Sequence, residues 1–456
     1  MYKKILIASL ALIAGLASCK KDDPTPSPNP PSTLTIDGVA STLEFYQLDT
    51  AHLSVAGVAK DAAAKAVWAV NGAKATEGAT FDFTTAHPGK YEITLTVDGK
   101  SAKHTYTVAP RFSEGAFLLN EGNFGNETGS LTYIHPSKKL VIDQAYYRVN
   151  GTKLGNVCQD LAFGNDQIYI LSQLGPKNGG EGLLTIANSH SLEKVKVYND
   201  EALAQSTPTH IAVLRDHIYI RTERDGILRG SSEGGFTPIT GTKKALKQRM
   251  AQIGERLFAL TSDSKVLMIQ GTQVVRELDL SPAKPSGIAV SHDGKLWVST
   301  TSPNAILKVD PTPDNFVALD THILDKSISA TGPESWQRTT SSAFFAHGDK
   351  LYFTGQSSVI YCHDFATSKT SQVIDVKTID GIGTSANMYY NSLGVDPSTG
   401  ELYYAAFEGY STYNKKNVTM VLKADGTKLL LKEKVNSFPA GFYFIPNAAS
   451  RTGANR

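Results

Sequence analysis

From residue 117 onward one pattern of apolar and polar positions recurs. An apolar run, a tight turn rich in Gly, Asp or Asn, and a second run containing Tyr, Trp or Phe appear as LAFGNDQIYILS (161–172), IAVLRDHIYIRT (211–222), MAQIGERLFALT (250–261), IAVSHDGKLWVST (288–300), AFFAHGDKLYFTG (343–355) and LGVDPSTGELYYAA (393–406). The spacing of ~35 to 45 residues is the mark of stacked supersecondary units. Two shorter runs follow each opening, as at 305–310 and 317–319. Four short strands per unit predict four-stranded antiparallel sheets with the spacing of β-propeller blades. Six openings leave a remainder at each end. Runs at 116–119, 130–134 and 141–148 read as three strands without an opening strand, and AGFYFI (440–445) reads as an opening strand without a unit. Placing the last strand in the first unit makes a seventh blade and removes two exposed sheet edges. The expected fold class is all-β, with a seven-bladed propeller over 115–446 closed by its C-terminal strand, followed by a polar tail at 447–456.

The preceding segment, 34–109, reads as short strands at 33–36, 52–55, 66–70, 80–84, 91–97 and 104–108. Every second residue of YEITLTV (91–97) is apolar or aromatic, as a half-buried antiparallel strand requires. The expected element is a small β-sandwich. Its WAVNG (68–72) and PGKY (88–91) resemble PKD-type immunoglobulin-like domains, with Trp68 as the core aromatic. That resemblance implies a spacer or an interaction module.

The N-terminus predicts an address. Lys3 and Lys4 precede an apolar run at 5–16 that suits a secretory signal and is short for a membrane span. The run ends in Leu16-Ala17-Ser18-Cys19, which resembles a bacterial lipobox. The resemblance implies a signal peptide at 1–18 and Cys19 as the lipidated first residue, so that the membrane is met through the lipid anchor only. Lys20-Lys21-Asp22-Asp23 is similar to the charged tag of Bacteroidetes lipoproteins exported to the outer face of the outer membrane. Residues 19–33 continue as a Pro-rich stalk, whose PTPSPNPPS favours polyproline II and a reach of roughly 25 to 30 Å. The net charge of +2, without a dense Lys/Arg cluster among aromatics, argues against a nucleic-acid partner. Cys158 and Cys362 fall in non-neighbouring repeats and are expected to be isolated thiols.

Loop lengths divide the repeat into two faces. Turns inside the openings are minimal, whereas the turns between second and third strands, and the crossovers between units, are long. They include NEGNFGNETG (120–129), GPKNGGEG (175–182), DKSISATGPESWQRTTS (325–341), VKTIDGIGTSANMYYN (376–391) and FEGYSTYNKKN (407–417). Loops longer than a connection needs are commonly functional. Phe124, Trp336, Tyr389, Tyr390, Tyr410 and Tyr413, with Arg338 and the polar Asn120, Glu121 and Asn123, are the predicted binding surface. FLLNEGN (117–123) followed by GSLTY (129–133) resembles the first blade of YncE-like surface lipoproteins of Bacteroidetes. Some members of that group capture cobalamin and pass it to a TonB-dependent outer-membrane transporter. The resemblance implies a corrinoid ligand, with another small molecule or a glycan as alternatives, and such a transporter as partner.

Catalytic signatures are not found. GIGTSA (381–386) has the glycines of a dinucleotide loop without its strand-loop-helix setting. DPTPDN (310–315) starts like a calcium loop, but Asn315 and Thr321 stand where Gly and Glu belong. The eleven histidines form no HExxH, and there is no GxSxG elbow. The expectation is a protein that is not an enzyme and uses no cofactor or metal, capturing a ligand on its long-loop face. A surface adhesion or scaffold protein and an extracellular propeller enzyme, a lactonase or hydrolase, are the alternatives.

Overall fold

The computed structural model describes residues 33–39, 44–328, 343–355, 357–386 and 393–446. The predicted signal segment, Cys19, nearly all of the stalk and the C-terminal tail lie outside the described residues, as do Trp336, Arg338, Tyr389 and Tyr390. The chain divides into two compact units. The first comprises Ala51–Phe83 and Tyr91–Tyr106 with the strand Thr35–Asp37. Residues 44–50, Thr84–Lys90 and the chain from Thr107 belong to the second. The boundary expected near residue 109 is thus interrupted. Within the second unit Gln47 is fully buried, and its amide donates to the carbonyls of Ala86 and Ser191 at 2.8 and 2.9 Å.

Between residues 35 and 109 the strands form a three-stranded and a five-stranded sheet. The core of the first unit is built on Trp68, which is fully buried and donates its indole N–H to the Gly78 carbonyl at 2.9 Å. Ile93, Leu95 and Val97, the inward positions of the strand Gly89–Val97, are buried, as the alternation predicts. The strand Ala73–Glu77 and the short helix Lys60–Ala63 were not legible in the pattern.

The described part of the second unit contains seven four-stranded antiparallel sheets. Six run in simple sequence, as in Cys158–Gly164, Gln167–Ser172, Leu184–Asn188 and Lys194–Tyr198. The seventh joins the ends of the unit: Pro439–Phe444 pairs with Ala116–Asn120, placing Phe442 opposite Leu118 and Tyr443 opposite Phe117. The segment expected as a strand over 141–148 is corrected. It forms Leu140–Ile142 and then a helix, Ala145–Asn150. Asp143 accepts a hydrogen bond from the Gln144 N–H at 2.8 Å, and the left-handed Gln144 turns the chain, so that Ala145, Tyr146 and Val149 are buried on one helical face.

Strand interiors are apolar on both faces because each sheet is covered on both sides. Ile168 and Ile170 pack with the preceding sheet through Phe117 and Tyr133. Tyr169 and Leu171 pack with the following one through Ile211 and Ile220. The same alternation is repeated around the unit, and Tyr403 and Ala405 of the last sheet pack with Leu118, Ile134 and Phe442 of the first. The first strand of every sheet contributes to the lining of one central cavity.

Four of these first strands carry a β-bulge at the same place. The register slips between Cys158 and Asp160, Pro208 and His210, Pro285 and Gly287, and Pro439 and Gly441. A bulge re-aims the residues beside it. Asp160, 1% exposed, accepts from the Tyr443 hydroxyl at 2.6 Å and from the Ile211 N–H at 2.9 Å, and forms an ion pair with Arg249 Nε at 3.3 Å. The Arg249 guanidinium also lies 4.1 Å from the Tyr443 ring centroid. It fits because residue 441 is glycine at φ +145°: a Cβ there would stand 1.9 Å from the guanidinium.

This cluster makes closure testable. Tyr443→Phe keeps the ring but removes a hydrogen bond to a buried carboxylate, for an expected loss of about 1 to 3 kcal/mol. Phe442→Ala removes a buried ring and should cost about 3 to 5 kcal/mol. Denaturant unfolding of both variants checks this ordering.

Candidate functional site

The loops joining second to third strands in three successive sheets meet on one face, and asparagine side chains tie them there. Asn120 is buried at the end of its strand; its amide nitrogen donates to Ser130 Oγ and Thr132 Oγ1 at 3.2 and 3.3 Å, and its oxygen accepts from the Ser437 N–H at 3.0 Å. Asn417 satisfies its amide likewise, donating to the carbonyls of Tyr413 and Asn436 at 2.7 and 2.9 Å and accepting from the N–H groups of Val435 and Asn436 at 3.1 and 3.3 Å. Asn156 donates to the Glu127 and Asn123 carbonyls at 2.5 and 3.2 Å. Backbone groups of irregular segments need partners when they leave water, and these side chains supply them.

Between those ties the loop at 121–129 is pinched. Gly122 adopts φ +75°, and a Cβ there would stand 2.3 Å from the Thr128 carbonyl oxygen, so glycine is required. Asn123 closes the next turn by accepting the Gly125 N–H on its side-chain oxygen at 3.0 Å. Glu127 then crosses to the neighbouring loops, accepting from the Tyr413 hydroxyl at 2.8 Å and from Ser437 Oγ at 2.9 Å. Burial, with the Glu127 hydrogen bond and charge, pushes the Tyr413 phenol up, so this bond is made by a neutral hydroxyl. On the far loop, Lys416, Thr384 and Thr412 hold the Glu408 carboxyl down to about 2 through hydrogen bonds.

The predicted residues separate into two kinds. Asn120 and Glu121 are both buried, and Glu121 accepts from the Gln159 amide at 2.8 Å, so the structure places them as ties within the loops. Phe124 and Tyr410 are exposed, at 62% and 45%. The Lys177 ammonium sits 4.0 Å from the Phe124 ring centroid, within cation–π range. Tyr410 and Tyr413 both lie on Phe438, at centroid distances of 5.7 and 4.5 Å, and Phe407 backs the group from within. Tyr410 and Tyr413 thus form one aromatic surface seated on buried Phe438, with Phe124 and Lys177 on the adjoining loops. Phe438, Lys177, Glu127 and Asn417 were missed. Phe438 had a local signal, since it directly precedes the Pro-Ala-Gly of the closing strand; Glu127 had none.

Cys158 lies beneath this layer. It is fully buried, its Sγ donates to the Gly155 carbonyl at 3.3 Å, and burial pushes the thiol up. Cys362 is half-buried, with its thiol pushed up to about 11, and neither forms a disulfide. The surface combines aromatic rings with one ammonium. It can hold a ligand with an apolar face and polar edges.

Asn417→Ala removes four hydrogen bonds at once and should destabilise the protein by about 2 to 4 kcal/mol, since each buried orphan costs about 1 to 3 kcal/mol and the losses overlap. Phe124→Ala should stay within about 0.5 kcal/mol of wild type, as exposed loop positions do. Chemical denaturation of the two variants side by side measures the contrast.

Solved proteins of low sequence identity resemble this chain to different extents. A quinonprotein alcohol dehydrogenase-like protein from Bacteroides thetaiotaomicron is 15% identical and superposes with a TM-score of 0.56, over 90% of this chain and 98% of that one. BamB from Moraxella catarrhalis is 11% identical, with a TM-score of 0.37 over 60% of this chain and 76% of that one. The WD40 β-propeller domain of Doa1 is 9% identical, with a TM-score of 0.42 over 60% and 82%. The chain is a mostly β, propeller-fold protein. No curated protein matches it in sequence. Residues 114–446 match the model of the domain of unknown function DUF5074, and the chain belongs to that family.

Proposed function

We propose that this protein is a non-enzymatic surface lipoprotein that captures a ligand on the long-loop face of a seven-bladed propeller. In this reading each four-stranded sheet is a blade, the C-terminal strand closes the ring, and the N-terminal sandwich is a PKD-type module acting as a spacer. The observation that carries the capture reading is the aromatic surface of Tyr410 and Tyr413, seated on buried Phe438 beside exposed Phe124 and held by buried asparagine ties. Rings kept in place by satisfied side chains lose little freedom on binding, which favours affinity. Trp336, Arg338, Tyr389 and Tyr390 belong to the same proposed surface through their loops. A corrinoid matches the chemistry, being a broad macrocycle with amide edges, and the resemblance of FLLNEGN to cobalamin-capturing lipoproteins supports that choice. Delivery to a TonB-dependent transporter is the corresponding partner proposal.

Two measurements test the reading. Calorimetric titration should show binding of cobalamin or cobinamide, and Tyr410→Ala should weaken it by about 1 to 3 kcal/mol, the range for a desolvated aromatic anchor. If wild type binds neither compound, the corrinoid assignment is wrong; if Tyr410→Ala binds as wild type does, the aromatic surface is not the site. Separately, Cys19→Ser should move the protein from the membrane fraction to the soluble fraction, because only the acyl chains hold it there. Retention of the variant overturns the anchor.

A further inference from the structure

The central cavity has the composition of a second ligand site. It measures about 420 Å³, within the range of roughly 300 to 1,000 Å³ common for small-molecule sites. Its walls are largely apolar, and Phe163, Ile288, Val290, Phe345 and Phe444 are only half-buried although they line the interior of the unit. Its charged residues, Asp160 and Arg249, cluster with Tyr443, and Gln248 and Gln252 also line it. There the two charges differ in accessibility. Asp160 is 1% exposed, and its oxygens already accept from Tyr443 and the Ile211 N–H and are paired with Arg249. The Arg249 side chain is 23% exposed and lines the cavity. A molecule entering therefore meets a guanidinium and not a carboxylate. The bare backbone at Gly441 is what leaves room for that guanidinium. Gln252, exposed and also lining the cavity, is an uncharged position from which the local charge can be changed.

We infer that this cavity binds a small amphipathic monocarboxylate, its head at Arg249 and its hydrocarbon body among Ile288, Val290, Phe345 and Phe444. Charge-assisted hydrogen bonds from a guanidinium suit a carboxylate better than any neutral head group. The apolar walls favour a hydrocarbon body over a sugar or a nucleotide. The site is separate from the long-loop surface and does not depend on corrinoid binding.

The test is calorimetric titration of the full chain carrying Cys19→Ser, which avoids detergent, with sodium octanoate, octan-1-ol and octylammonium chloride. Octanoate should bind, and octan-1-ol and octylammonium should bind at least about tenfold more weakly, the margin of one charge-assisted pair. Gln252→Glu should weaken octanoate about threefold or more and Gln252→Lys should strengthen it at low ionic strength, because a charge on the cavity lining opposes or adds to that of Arg249. Arg249→Met should abolish binding. Since Arg249 also meets Asp160, that result counts only if the variant melts cooperatively, and otherwise the Gln252 pair decides. Tyr410→Ala should bind octanoate as wild type does. No heat with octanoate, equal binding of octan-1-ol, or indifference to both Gln252 substitutions overturns the proposal.

Discussion

A carboxylate removed from water has to be met by donors, and the second unit is organised so that Asp160 is. Its three partners come from different sheets: Tyr443 from the closing strand, Ile211 from the next sheet in sequence, and Arg249 from the sheet after that. Burial alone pushes the Asp160 carboxyl up, while Arg249, Tyr443 and the backbone donors act against that push. A buried ion pair is a poor source of net stability, but losing one partner leaves a charge unmet. The cluster therefore acts as a geometric requirement that these sheets be present in their places together. Apolar packing between neighbouring sheets supplies the bulk attraction, which is non-directional, whereas the hydrogen bonds from Tyr443 and Ile211 are directional.

On the long-loop face the same logic uses neutral groups. Asn120, Asn156 and Asn417 consume backbone donors and acceptors that the loops would otherwise leave without partners. Because these amides are buried and bonded to the loops, the rings of Phe124 and Tyr410 can remain exposed without the loops collapsing. Rigidity beneath and apolar surface above are two consequences of one arrangement.

The repeat was legible because its opening pattern is local: an apolar run, a turn needing left-handed residues, and a second run of β-formers. Closure was legible by counting, since a lone AGFYFI strand and an incomplete first unit complement each other. The helix Ala145–Asn150 was not, because its Tyr-Tyr-Arg-Val composition suits a strand and only the left-handed Gln144 redirects it. At the loop face, exposed Phe124 and Tyr410 were found from loop length and residue type. Asn120 and Glu121 were placed on the surface with them because polarity does not distinguish a tie from a contact. The inner cluster escaped notice because Asp160 and Arg249 stand one residue before the recurring openings LAF and MAQ. Reading that preceding position across the units would have revealed it.

The pairing of residues 439–444 with 116–120 has a temporal meaning as well. The hydrogen bond from the Ser437 N–H to Asn120 spans 317 positions of chain, and that from Ser437 Oγ to Glu127 spans 310. Contacts this distant in sequence cannot form until the intervening chain has been made and partly ordered, and they slow the final step of folding. Until then the first sheet lacks its inner strand, and both Ala116–Asn120 and the last sheet present surfaces that another chain could occupy. Synthesis from the N-terminus thus leaves the first sheet open to misassociation until the strand Pro439–Phe444 is free to pair with it.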